Sequence, residues 1–268
     1  MRPLVSVHIT TYNRAAKLER CVRSVWPQSY PNIEIIIADD CSPDDTPAVV
    51  ERLTAESPVP ITYVRHETNK GNAFARNSCL TVSSGHYVAF LDDDDEWIDP
   101  EKITKQVQVL EQDEQGIGFV ATLARIHEPA GVRESPAALP RRLVPHILRR
   151  NGLFFNSSVL TTRITLKRTD GFDEDLPRGV DSDFYRFCIV NLGCRPILMQ
   201  GVTTLVHAED EGRMTDYASV KSLRKEVASH KRTLHKYRPS FLRHPCALLF
   251  RWRKIAVARI RALKRAVT

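Results

Sequence analysis

Tyr87-Val88-Ala89-Phe90-Leu91-Asp92-Asp93-Asp94-Asp95-Glu96-Trp97 decides the reading of this chain: an apolar run passes directly into five successive carboxylates. An apolar, aromatic run of that length, preceded by Gly85, reads as a buried strand. The acids therefore sit where the strand leaves its sheet. So many adjacent negative charges are costly unless a cation or solvent offsets them. Mg²⁺ and Mn²⁺ take oxygen ligands, commonly one or two carboxylates plus substrate phosphates. An acidic turn capping the helix opened by Asp99-Pro100-Glu101 accounts for the same residues.

Upstream, strands and helices alternate. Leu4 to Ile9 reads as a strand, and Ala15 to Val25 has helical spacing in Leu18, Val22 and Val25. Ile33 to Ala38 is almost wholly apolar, as expected of a parallel strand covered on both faces. Helical spacing through Val49, Val50 and Leu53 follows, then a short strand at Ile61 to Val64 and a helix over Ala73 to Val82. This β-α-β-α-β-α-β order predicts a Rossmann-like α/β fold with a mostly parallel sheet and helices on both faces. Ligands of such sheets bind at the carboxyl ends of the strands. Three polar clusters fall there: Thr10 to Arg14, Asp39 to Ser42 and Asp92 to Glu96. The first loop carries neither G-x-G-x-x-G nor G-x-x-x-x-G-K-S/T, which argues against dinucleotide oxidoreductases and P-loop enzymes.

Beyond Pro100 the pattern predicts a helix over Lys102 to Leu110 and a strand over Ile117 to Thr122. Residues 127–142 read as a surface excursion and Phe154 to Leu160 as a strand. A helix is expected over Asp181 to Val190, with short strands over Arg195 to Leu198 and Val202 to Val206. Glu209 to Arg213 reads as a mobile loop. The six cysteines have no C-x-x-C or zinc spacing and read as free thiols of a reducing compartment. No secretory signal and no run of 18 apolar residues is present, so a cytoplasmic location is expected.

The motifs V-S-V-x-I-T-T-Y-N-R, I-I-I-A-D-D-C-S, G-N-A-F-A-R-N, L-D-D-D-D-E-W, G-F-D-E-D-L and D-S-D-F-Y-R-F occur in that order across residues 4–207. Each is weak alone, but in series they resemble the inverting nucleotide-sugar glycosyltransferases of family 2, with the GT-A fold. The resemblance implies that Thr10, Tyr12 and Asp40 hold the nucleotide base. Tyr12 offers an aromatic face, although turn packing for Tyr12 and helix capping for Asp40 explain the same residues. It implies phosphate contacts for Arg14 and Arg76, whose guanidinium groups suit phosphate oxygens. Asp92-Asp93-Asp94 matches the family's D-x-D motif. Asp94 is then a direct ligand of Mn²⁺ or Mg²⁺, and Asp92 or Asp93 touches ribose or metal-bound water. The base that deprotonates the acceptor hydroxyl falls at Asp181, with Asp183 in reserve. Val180 stands where the family usually has Glu, and Asp181 also suits a helix N-cap. His207 is placed where a related histidine reaches the metal or diphosphate. Asn156 and Ser157 fall on the acceptor side.

The charge is divided. Residues 213–268 hold 16 Lys and Arg against 2 Asp and Glu, a net of +14, whereas residues 1–212 hold 23 against 30, a net of −7. The expected organisation is a GT-A domain over 1–212, divided into a nucleotide-binding half (1–98) and an acceptor-side half (99–212), with a basic helical tail over 213–268. In the tail, Pro239 and Pro245 read as helix breaks, and residues 247–265 mix apolar and cationic side chains around Trp252. Such a helix suits an anionic membrane surface, which would fit a glycan or lipid-linked acceptor and a peripheral location. Packing on the body and a homo-oligomer contact are the other readings; nucleic acid lacks a base-reading motif. The leading functional expectation is transfer of a sugar from a nucleoside diphosphate sugar, UDP-linked by preference. The rivals are a sugar-phosphate nucleotidyltransferase, whose Gly-rich phosphate loop is missing, and a catalytically silent adaptor.

Overall fold

The computed structural model describes residues 2–112, 116–208 and 219–267. The expected loop at 209–213, and with it the boundary at 212/213, lies outside the described residues.

The first half follows the sequence pattern closely. β1 (Val5–Thr11), α1 (Ala15–Arg23), β2 (Ile33–Asp39), α2 (Thr46–Glu56), β3 (Ile61–Arg65), α3 (Asn72–Val82) and β4 (Tyr87–Asp92) succeed one another. The four strands are parallel, in the order β3-β2-β1-β4. Val5, Val7 and Ile9 of β1 pack with Ile35 and Ile37 of β2 and Ala89 and Leu91 of β4 under α1 and α2. On the opposite face Ile36 and Ala38 meet Ala75 and Cys79 of α3. Both faces are covered, which is why β2 carries almost no polar residue.

The second half completes the same sheet and does not form a separate one. β5 (Asp95–Trp97), α4 (Lys102–Glu111), β6 (Phe119–Glu128), β7 (Gly131–Glu134), α5 (Leu143–Arg149), β8 (Val159–Thr162), α6 (Arg163–Arg168), α7 (Val180–Val190) and β9 (Ile197–His207) follow. The order continues β4-β8-β6-β9-β5, with β7 paired to β6. Because β5 leaves β4 after a short turn yet pairs at the far end of the order, the sheet must roll over.

Several expectations change here. Residues 127–142 are not wholly irregular: β7 forms a hairpin with β6, and the Ser135 hydroxyl accepts a bond from Ala124 N. Residues 156–158 are a 3₁₀ turn ahead of β8. The two short strands near 195–206 are one strand, β9, whose register against β6 shifts around Leu123. Gly201, at φ 102, supplies the backbone freedom next to that irregularity. The short helices α5 and α6 have too few residues to show a 3.6 period.

The basic tail is α8 (Val220–Lys236), α9 (Arg238–Arg243) and α10 (Pro245–Val267). Ser219 caps α8 by accepting from Ser222 N. Pro239 and Pro245 open α9 and α10 rather than ending helices, because a first helical turn needs no N–H from proline. One side of the tail is packed on the body: Tyr237, Phe241 and Ala247 are buried with Leu148 of α5. The Arg251 guanidinium is buried there too, donating to Leu148 O (2.7 Å) and Asn151 Oδ1 (3.0 Å).

Candidate active site

The registers Thr11↔Asp39 and Thr10↔Asp92 bring the ends of β1, β2 and β4 to one edge. Asn13 (φ 56) and Cys41 (φ 67) turn the backbone sharply after β1 and β2, and Asn13 N donates to Ser42 Oγ (2.9 Å). This leaves Tyr12 46% exposed, its ring free to serve as a platform. Thr10 Oγ1 donates to Asn72 Oδ1 (2.9 Å). Asp40 is buried and occupied: it accepts from Lys70 N (2.8 Å) and Gly71 N (2.7 Å), and lies 2.9 Å from His66 Nδ1. It fixes the 69–71 loop beside the β1 edge, where the resemblance expects the nucleotide base.

The acidic loop is organised by two arginines. Arg14 Nη1 reaches Asp93 Oδ1 (2.8 Å) and Asp94 Oδ2 (3.0 Å). Burial pushes the Asp93 carboxyl up to about 6, against the pull of Arg14 and with the push of Asp94. Arg76 Nη2 lies 2.8 Å from Asp92 Oδ1 and 3.0 Å from Asp181 Oδ1. Asp181, at the start of α7, is thus joined to Asp92, at the end of β4, through one nitrogen. Burial raises the Asp181 carboxyl, Arg76 opposes that, and Asp92 adds to it. Arg76, expected at phosphate, is 3% exposed and meets two carboxylates.

Two further expected site residues have protein partners. Asp183 is buried, 2.6 Å from Lys236 Nζ and 3.3 Å from Arg186 Nη1. It ties α7 to the tail. His207 Nε2 sits 2.7 Å from Glu96 Oε1, and its ring stands edge-on to His127. One step beyond the antiparallel β5–β9 pair Asp95↔Val206, the register runs to Asp94 and His207, and the His207 imidazole meets Glu96.

Among the described residues, no group of three or more His, Cys, Asp or Glu side chains is arranged to hold a cation alone. The donor set still fits Mg²⁺ or Mn²⁺ held jointly with a diphosphate. Asp93 and Asp94 lie side by side and share the one Arg14 nitrogen, and Asp92 keeps a third of its side chain exposed.

The sequence placed Asn156 on the acceptor side but gave neither it nor Tyr185 a supporting role. Asn156 Nδ2 donates to Asp92 Oδ1 (2.9 Å), and Tyr185 Oη donates to Asn156 Oδ1 (3.0 Å). Tyr185 lies one helical turn beyond Asp181, so i,i+4 spacing was an available signal. Asn72, bound to Thr10, lies in the G-N-A-F-A-R-N motif, which gave it no role of its own.

The sequence profile described as Glycosyl transferase family 2 matches residues 6–175. The chain is 29% identical over 224 residues to "Putative colanic acid biosynthesis glycosyl transferase WcaA" of Escherichia coli K12, covering 82% of this chain and 77% of that protein. It is 40% identical over 108 residues to the Escherichia coli "UDP-Glc:alpha-D-GlcNAc-diphosphoundecaprenol beta-1,3-glucosyltransferase WfaP", covering 40% of this chain and 41% of that one. Matches to WfaP and three other relatives span only 30–42% of those proteins' lengths. The fold is that of the mannosyltransferase PcManGT from Pyrobaculum calidifontis, solved with GDP-Man and Mn²⁺, with a TM-score of 0.70 at 23% identity over 100% of this chain and 76% of that one.

Proposed function

The chain belongs to glycosyl transferase family 2, and from that premise we propose that it moves one sugar from a nucleoside diphosphate sugar to a hydroxyl of a lipid-linked or surface glycan, with inversion at the anomeric carbon. UDP is the preferred nucleotide, by analogy with the WfaP relative. The observation that carries the proposal is the meeting of Asp92 and Asp181 on Arg76, beside the Asp93–Asp94 pair.

In this reading the base of the donor lies on Tyr12 at the β1 edge. Asp94 and Asp92 would hold Mg²⁺ or Mn²⁺, which when bound neutralises charge on the departing diphosphate. Asp181 accepts the proton of the acceptor hydroxyl as that oxygen attacks the anomeric carbon. Its raised affinity for a proton suits a base, and the N-terminus of α7 favours its anion. Arg76 holds Asp181 in place and keeps it apart from the like charge of Asp92. Asn156 and Tyr185 fix Asp92 from the other side.

The exposed face of α10 supports an anionic membrane as the setting. Leu249, Trp252, Ile260 and Leu263 are exposed on one stripe, opposite the buried Ala247, Arg251, Ile255 and Ala258. Arg253 and Arg259, also exposed, flank the stripe. Apolar residues between cations are what an interfacial helix needs. Among the described residues, no helix is long and apolar enough to cross a membrane.

The test is hydrolysis of a panel of nucleotide sugars with Mn²⁺. The intact chain should consume one donor class, and Asp94→Ala should lose metal-dependent turnover. Full turnover by Asp94→Ala would exclude the mechanism.

A further inference from the structure

Away from the strand edge, a cleft of about 720 Å³ opens between α5 and the junction of α9 with α10. Arg142, Arg149 and Arg243 line it together with His146 and His244, and no Asp or Glu is among its lining residues. The three arginines are exposed, and none forms a salt bridge with a carboxylate among the described residues. The acids nearest in sequence to α5 and α9 lie against other partners, Glu134 against Arg125 and Glu226 against His230, while Asp173 and Asp183 are held by Lys236. The local field is positive. His146 is pushed below the ordinary histidine value by burial first, then by Arg150 and Arg149. Pro140, Pro145 and Pro245 stiffen the walls.

Exposed apolar side chains adjoin the cationic lining in sequence. Leu242 is 66% exposed and Leu249 is 69% exposed, on either side of the α9–α10 junction. Leu249 begins the α10 stripe that runs on through Trp252, Ile260 and Leu263. A site with several guanidinium groups inside and a hydrocarbon track outside matches an anionic amphiphile. A single phosphodiester offers one negative charge, too few for three arginines; two linked phosphates offer two or more, and guanidinium binds phosphate oxygens in pairs.

The cleft also connects to the candidate base. The C-terminal end of α5 runs into Asn151 and Gly152, and Gly152 N donates to Ser182 Oγ (3.0 Å), next to Asp181. Asn151 Oδ1 accepts from Arg186 of α7 and Arg251 of α10. The walls of the cleft and the start of α7 are therefore joined by one hydrogen-bonded network through Asn151 and Gly152.

We infer that this cleft binds the diphosphate of a lipid-linked acceptor, with its hydrocarbon chain laid along the α10 stripe toward the bilayer. The inference rests on the lipid-linked acceptor reading and names the part of the chain that recognises it. Arg142, Arg149 and Arg243 hold the phosphates, and the attached sugar extends past Gly152 toward Asp181.

The test uses the full chain and phosphatidylcholine vesicles of three kinds: undoped, doped with geranylgeranyl diphosphate, or doped with phosphatidylglycerol to the same surface charge. The intact protein should bind the diphosphate vesicles at least about tenfold more tightly than the phosphatidylglycerol vesicles, the free-energy equivalent of one well-made contact. The triple variant Arg142→Gln/Arg149→Gln/Arg243→Gln changes only exposed side chains. It should lose that preference while keeping its binding to phosphatidylglycerol through the rest of the basic face, and its melting profile should match the parent's. Equal binding of the parent to both charged vesicles, or an undiminished preference in the triple variant, would overturn the inference. Failure to bind any vesicle would overturn it too. Donor hydrolysis measured in parallel separates that outcome from failure of the transferase reading, since hydrolysis needs neither cleft nor lipid.

Discussion

Replacing Arg76 with Met probes the junction on which the site is built. Arg76 is 4% exposed at its side chain, and the one Nη2 sits 2.8 Å from Asp92 and 3.0 Å from Asp181. Methionine fills similar space but leaves both carboxylates without their cation. Breaking a buried ion pair costs about 3–5 kcal/mol, and the one-third exposure of each carboxylate lowers this to about 2–4 kcal/mol. The sign with pH follows from Asp181. Its carboxyl is already raised by burial, and Arg76 is the main force opposing that. Without Arg76 it rises further. A carboxyl raised in the folded state makes stability fall as pH climbs from the unfolded value through the folded one. The deficit of Arg76→Met should therefore be largest near neutral pH and shrink in acid. Urea unfolding of parent and variant at about pH 7.5 and about pH 4.5 measures both. An equal deficit at the two pH values, or none, would refute the bridging role. In transfer assays the acid limb of the pH–rate profile should move upward in the variant.

Two other perturbations test the frame around the site. His8 is buried in β1 against Phe90, and burial, helped by the positive charges of Arg163 and Arg76, lowers it to about 3. A lowered histidine loses stability as pH falls from its unfolded value toward its folded one. At about 1.4 kcal/mol per pH unit this is on the order of 5 kcal/mol. His8→Phe should move the acid-unfolding midpoint to lower pH, and an unmoved midpoint would contradict the neutral, buried assignment. Arg251→Ala should cost about 2–4 kcal/mol, because it strips donors from Leu148 O and Asn151 and leaves a hole at the α10 contact. That is a fall in Tm of about 5–10 °C; a change within error would mean the tail does not brace the body.

The parallel half was legible because its strands are buried on both faces, so Ile33–Asp39 and Tyr87–Asp92 stand out as continuous apolar runs. The strand-end rule then brought the polar ends of β1, β2 and β4 together, as their registers do. The second half was less legible. β9 is interrupted by Gly201 and reads as two strands, and a 3₁₀ turn at Asn156–Ser158 resembles an extended segment. The protein partners of the charged residues were not legible, for one common reason. Arg76, Asp40 and Asp183 carry groups that suit ligands, but their partners come from distant stretches of chain: Asp181 for Arg76, Lys70 and Gly71 for Asp40, Lys236 for Asp183. Local spacing cannot reveal such pairs. The tail's charge was plain, but Arg251 and Lys236 turn inward to neutral acceptors and acids of the body, which net charge alone does not show.

Asp181→Asn gives the most direct measurement: transfer rate and donor affinity compared in one preparation with Mn²⁺ present. A carboxylate that takes the acceptor's proton predicts a fall in transfer of about 10²–10⁴-fold, with nucleotide binding by calorimetry nearly unchanged. Transfer at the parent's rate, or a donor affinity that collapses together with the rate, would contradict it.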